Sequence, residues 1–255
     1  MAAITKPYHL TVRQFSDGQY TEGGRSRYIE HPKYSSNPSR FVRGFELLQK
    51  DLLTLFEYIE PSKFSKDTYS FRTFEFLLRT STEIEANCKS IFKLNTYTQK
   101  VEERWNMTDY FKINKSHYLS DYRIKMPFWD GSEKIRQPFK EWSGGSFQQL
   151  TWYDAYNQVK HDRTGNLHYA SFNNLINAFC GLVVILTTQF LDNDFMQRAS
   201  AITDEGPNDG FESTIGGYFR VELPKSIPYR EMYDFNWQTI KDQADPFEKF
   251  NYDSV

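Results

Sequence analysis

The run A-F-C-G-L-V-V-I-L, Ala178 to Leu186, would leave a helix with no polar side. Such a helix must be enclosed, either by lipid or by other parts of the protein. A membrane span needs about 20 apolar residues, and the flanks here turn polar well before that. The run is therefore expected in a helix from His168 to about Leu191 that passes through the middle of a bundle.

Other segments supply the walls. Phe45, Leu48, Leu52, Leu55, Phe56 and Ile59 recur at three and four residues, predicting an amphipathic helix over Phe41–Ile59 that Pro61 closes. A longer pattern from about Asp67 to Leu94 places Phe71, Phe74, Leu77, Leu78, Ser81, Ile84, Cys88, Ile91 and Phe92 on one stripe. A short polar helix is expected near Thr108–Lys115, and another helix from about Leu150 to Asp162, broken by Thr164-Gly165-Asn166. Between them, Tyr118–Trp129 and Lys134–Trp142 read as strands joined at Trp129-Asp130-Gly131-Ser132. Residues 1–40 read as an irregular arm with one hairpin, residues 41–200 as the helical bundle with its hairpin insertion at about 118–142, and residues 201–255 as an extension packing on the bundle. A strand is expected at Tyr218–Leu223.

Composition limits the partners. A formal net charge of -2 gives no bulk attraction to nucleic acid, so contact with it needs a local basic patch. The N-terminus M-A-A-I-T-K-P-Y has no apolar signal region, which makes the cytoplasm the expected location. Cys88 and Cys180, both on apolar faces, are expected as buried thiols rather than a disulfide or zinc site.

The stretch Y-D-A-Y-N-Q-V-K-H-D-R, Tyr153–Arg163, spends polar residues just before the most apolar helix. At about 100° per residue, Asn157 and His161 share a face, with Asp154 a turn earlier and Lys160 near its edge. An imidazole beside cations can exchange protons and face a phosphate, which suffices for metal-free attack of a ribose 2'-hydroxyl on the adjacent phosphorus. Equally, Asn157 and His161 can brace the following loop, with Lys160 and Arg163 solvated at a helix C-terminus where positive charge is favourable. The pair His161-Asp162 also has the form of a metal-binding His-Asp step, but His9, His31 and His117 upstream provide no supporting spacing.

The order of these elements, a long helix with R-T-S-T-E-I-E-A-N-C-K, then a short helix with Y-N-Q-V-K-H-D-R followed at once by an apolar helix, resembles the HEPN superfamily over roughly Phe41–Leu191. These are all-helical domains, often dimeric, of bacterial toxins, phage-defence proteins and CRISPR-linked ribonucleases. The resemblance implies a mainly α, HEPN-like helical bundle with an inserted β-hairpin and irregular N- and C-terminal additions. It implies His161 as acid/base, Asn157 and Lys160 as neighbouring polar groups, and a carboxylate on the long helix, Glu83 or Glu85, orienting the histidine, with Glu83 taken for that role. The family's motif arginine is missing, because the positions that would hold it are Asp154, Ala155 and Tyr156. Arg163, Lys160 or Arg79 are the substitutes at hand.

Glu83 also has a plainer role open to it, pairing with Arg79 as Glu85 would with Lys89 along one solvated helix face. In the hairpin, Arg123, Lys125 and Arg136 alternate with Tyr122, Phe128 and Trp129. That mixture suits single-stranded RNA, and it equally suits a half-buried hairpin with one aromatic and one basic face. The expected function is RNA binding or metal-independent RNA cleavage by a homodimer in a bacterial defence or toxin system, with no cofactor and no metal. The competing expectation is a non-catalytic HEPN-like interaction or regulatory module that acts through a partner protein.

Overall fold

The computed structural model describes residues 3–16, 26–27, 31–191, 209–225 and 227–255. Asp17-Gly18 and Gly23-Gly24, whose residue types signal turns in the N-terminal arm, lie outside them. The fold is mainly α with a small antiparallel sheet.

Helix α1, Pro38–Phe56, begins earlier than the apolar pattern suggests. Asn37 accepts from the Arg40 amide as N-cap, and Pro38 sits in the first turn, where its missing N–H costs nothing. Helix α2, Phe71–Leu94, starts at a reciprocal cap in which Ser70 and Thr73 satisfy each other's backbone amides. Its first turn departs from the expected stripe: Thr73 and Phe76 are buried, while Phe71 is 64% exposed. The polar segment forms two short helices, α3 (Met107–Tyr110) and α4 (Ile113–His117). They are followed by α5 (Thr151–His161), the single turn α6 (Arg163–Asn166), α7 (Phe172–Phe190) and, near the end, α8 (Trp237–Ile240).

Helix α7 is the centre, as its apolar run requires. It packs on α1, α2 and α5, and Gly181 lies where Trp152, Ile84 and Phe139 converge on it. By length and composition it is the one described helix apolar enough to cross a membrane, yet 83% of its most apolar window is buried inside the fold. Its polar end is bonded internally, except that the Gln189 side-chain oxygen is buried without a partner among the described residues. Thr187 and Thr188 bond back to Val183 and Ile185 carbonyls, and Gln189 donates to Asn87 of α2 at 3.0 Å. It begins at Phe172 rather than His168 because Ser171 caps it.

The expected long strands are short. In the hairpin only β3, Arg123–Lys125, and β4, Ile135–Arg136, pair, with Ile124 opposite Arg136. Pro127 and Pro138 stop each strand, and Leu119–Asp121 and Lys140–Trp142 curl into 3-10 turns. The sheet is completed from the C-terminal segment: β6, Arg220–Glu222, pairs with β3, and β5, Glu212–Ser213, pairs with β6. The N-terminal hairpin is present as β1, Arg13–Gln14, with β2, Ser26–Arg27.

One core runs through all three expected segments, from Leu10 to Tyr252. The terminal segments run side by side, Ile4 and Phe15 bridging Tyr233 and Tyr8 bridging Glu248, while the Val12 amide donates to Thr188 O. Behind them lies a polar chain. Buried His117 meets Leu10 O through Nε2 (2.8 Å) and Ser116 Oγ through Nδ1 (2.7 Å), and Ser116 Oγ meets the Tyr252 hydroxyl at 2.6 Å. Since a carbonyl only accepts, His117 donates from Nε2 and Nδ1 accepts from Ser116. Arg13, also buried, lies between the rings of Tyr8 and Tyr118 and donates to Glu231 O at 2.6 Å.

Candidate functional site

Helix α5 positions the site by its phase. Trp152, Ala155, Tyr156 and Val159 are buried and define the core side. At about 100° per residue, Asp154, Asn157 and His161 fall on the opposite side. Asn157 is accordingly half-buried and His161 exposed, and neither side chain has a hydrogen-bond partner among the described residues. Neither braces the following loop. Asp162 ends the helix instead, leaving helical geometry at φ -140° and accepting from the Gly165 amide at 3.0 Å as the cap of α6. The break thus comes before Thr164-Gly165-Asn166, which itself forms a helical turn. Asp162 has a cap to make, and a Cβ on Gly165 would sit 2.6 Å from its Oδ2.

Lys160 lies on the flank of α5 that meets α2. Its ammonium donates to the Tyr156 hydroxyl at 3.1 Å and sits 5.0 Å from that ring's centre. The hydrogen bond to Tyr156 holds the ammonium above its ordinary pKa, outweighing desolvation. The Tyr156 ring packs 5.2 Å from Tyr153, whose hydroxyl donates to Glu85 Oε1 at 2.8 Å. Burial, together with the Glu85 charge, raises the Tyr153 phenol, so it stays protonated as a donor. Glu85, Tyr153, Tyr156 and Lys160 thus form one polar line along the α2–α5 groove.

The expected orienting carboxylate is elsewhere. Glu83 and Glu85 are 200° apart on α2, and Glu83 faces α1, its Oε2 3.2 Å from where a Cβ on Gly44 would stand. Burial there raises its carboxyl above the usual range against the opposing pull of Arg79. Within the chain it is Glu85, not Glu83, that faces the helix carrying His161. Arg79 is also turned to α1, pairing with Asp51 at 2.5 Å. The same-helix pairs read from spacing give way to partners on neighbouring helices, because α2 is flanked on both sides.

The hairpin cations are occupied too. Arg123 pairs with Glu222 at 2.6 Å and Lys125 with Asp209 at 3.0 Å, both acids coming from the C-terminal segment. Arg136, only 11% exposed in its side chain, lies over the Trp129 ring and meets Glu133 and Asn173. Against the cost of burial, Lys225 and Arg123 hold the Glu222 carboxyl below its usual range, so the Arg123 pair is ionised near neutrality.

Arg163 differs from these. Its guanidinium lies 5.4 Å from the Phe71 ring centre and 5.8 Å from that of Phe74, and it has no carboxylate partner among the described residues. The structure therefore brings His161, Asn157 and Arg163 to the exposed C-terminal end of α5. It leaves Lys160 on the flank and sends Glu83, Arg79, Arg123, Lys125 and Arg136 to other contacts. The polar line through Glu85 was legible only as tyrosines at Tyr153 and Tyr156 preceding Lys160 at helical spacing. No protein-family model, curated protein or solved structure matches the chain.

Proposed function

We propose that this is a HEPN-like protein that acts on RNA without a metal, through the exposed end of α5, in the cytoplasm and as part of a bacterial defence or toxin system. One observation supports the reading: His161, an imidazole with no partner among the described residues, shares a helix face with Asn157 and lies two residues before a cation, Arg163, that no carboxylate among the described residues pairs with. In a homodimer that opposes two such ends, one His161 would take the proton from a ribose 2'-hydroxyl. The other would protonate the departing 5'-oxygen as the 2'-oxygen forms its bond to phosphorus. Arg163 would face the phosphate, replacing the missing motif arginine, and Lys160 would join it only by leaving the Tyr156 hydroxyl.

The deciding experiment is RNA cleavage in EDTA by wild type and His161→Ala, with circular dichroism and gel filtration establishing equal folding and assembly. Cleavage lost in the variant supports the reading. Cleavage that persists removes His161 from it. A second reading, a non-catalytic interaction module working through a partner protein, draws on Glu83 facing α1 and the pairing of the hairpin cations. Absence of cleavage by both proteins across several RNAs favours it.

A further inference from the structure

The first turn of α2 and the segment from Arg163 to Tyr169 lie side by side, joined where Tyr69 bridges Ser171. Together they expose an unusual amount of aromatic surface: Phe71 is 64%, Tyr69 51% and Tyr169 40% exposed. His168 links the two strips, its ring 4.3 Å from that of Tyr169 and 6.5 Å from that of Tyr69. Arg163 lies over Phe71 and Phe74 on the same surface.

Among the described residues no carboxylate pairs with Arg163: the acid next to it in sequence, Asp162, accepts from the Gly165 amide, and Glu75 pairs with Arg72. An occupant that matches this surface supplies flat faces for the rings and a negative group for the guanidinium. A single nucleic acid strand does both, since every base has a face that stacks on an aromatic ring and every link carries a phosphate. A duplex hides its base faces and does not.

We propose that Tyr69, Phe71, Tyr169, His168 and Arg163 form a stacking site for single-stranded nucleic acid, holding the strand beside His161. This inference rests on the reading that the chain acts on RNA and adds where the strand lies. Because stacking needs bases rather than a 2'-hydroxyl, the site takes single-stranded DNA as well, which cleavage chemistry could not use.

The test is fluorescence anisotropy of the full chain with labelled oligo(U), oligo(dT) and a duplex of equal length. The proteins are wild type, Phe71→Ser, Tyr169→Ser and Arg163→Ala, with circular dichroism confirming their fold. Both single strands bind wild type, and the duplex binds more weakly. Each ring removed weakens binding by about fivefold to a hundredfold. Arg163→Ala lowers the slope of log affinity against log salt by about 0.7, one phosphate contact. Binding of neither strand, or equal binding by wild type and ring variants, overturns the site. RNA cleavage by wild type that is unchanged in the ring variants leaves the proposed function standing and this inference fallen. Strand binding lost in the ring variants without any cleavage does the reverse. A dimer that dissociates on Phe71→Ser with strand binding intact overturns the site in favour of self-association.

Discussion

The hydroxyl of Tyr153 donates to Glu85 Oε1 at 2.8 Å, tying α5 to α2 in the groove beside the candidate site. A hydrogen bond to a charged acceptor contributes about 1.5–3 kcal/mol, so Tyr153→Phe lowers the unfolding free energy in urea by that order. Glu85→Gln keeps an acceptor and loses less. A larger effect of Glu85→Gln than of Tyr153→Phe would place the main partner of Glu85 elsewhere.

His161→Ala changes stability by no more than about 0.5 kcal/mol, because the ring is exposed and bonds to nothing among the described residues. Thermal unfolding checks this beside the cleavage assay. A loss of several degrees would show that the ring supports the fold.

Burial pushes His117 down to about 3, despite its hydrogen bond to Leu10 O, so the folded state holds it neutral while the unfolded chain titrates near 6.5. Between those values the unfolded state binds more protons, and stability falls as pH falls. The contribution is complete above about pH 6.5 and is lost at up to about 1.4 kcal/mol per pH unit below it. Urea titrations from pH 7.5 to 4 should show this slope, and His117→Gln should flatten it while lowering stability throughout.

Gly216 has φ +80°, and a Cβ there would come within 2.4 Å of the amide nitrogen of Gln49, which itself donates to Gly216 O. Gly216→Ala therefore meets both a left-handed backbone and a collision, and destabilises by about 1–3 kcal/mol. The double variant Gly216→Ala with Gln49→Ala removes the collision and leaves the backbone strain, so differential scanning calorimetry of the pair separates the two.

The helices were readable because their apolar spacing is local: the end of α2 at Leu94 and the enclosed α7 follow from period alone. Boundaries shifted where a cap overrode the pattern, as at Asn37, Ser70 and Ser171. Phe71 fits the apolar period yet faces solvent with Arg163 across it, because Ser70 and Thr73 fix where the first turn starts. The exposed setting of His161 could be read from helix phase, whereas Glu83 could not be placed. Two residues on one helix look interchangeable in sequence, and only the neighbouring α1 and α5 tell Glu83 from Glu85. The pairing of β3 with β6 joins residues about a hundred positions apart, which no local pattern encodes.

That pairing, together with the Ser116–Tyr252 contact, sets an order of events during translation. Helices α1, α2, α5 and α7 can gather on a chain still being made, but β3 has no inner neighbour until residues 220–222 emerge. The His117 chain likewise stays open until Tyr252 arrives. A ribosome-bound chain that lacks residues 220–252 would carry the bundle with one edge of β3 unpaired and the Ser116–His117 chain open.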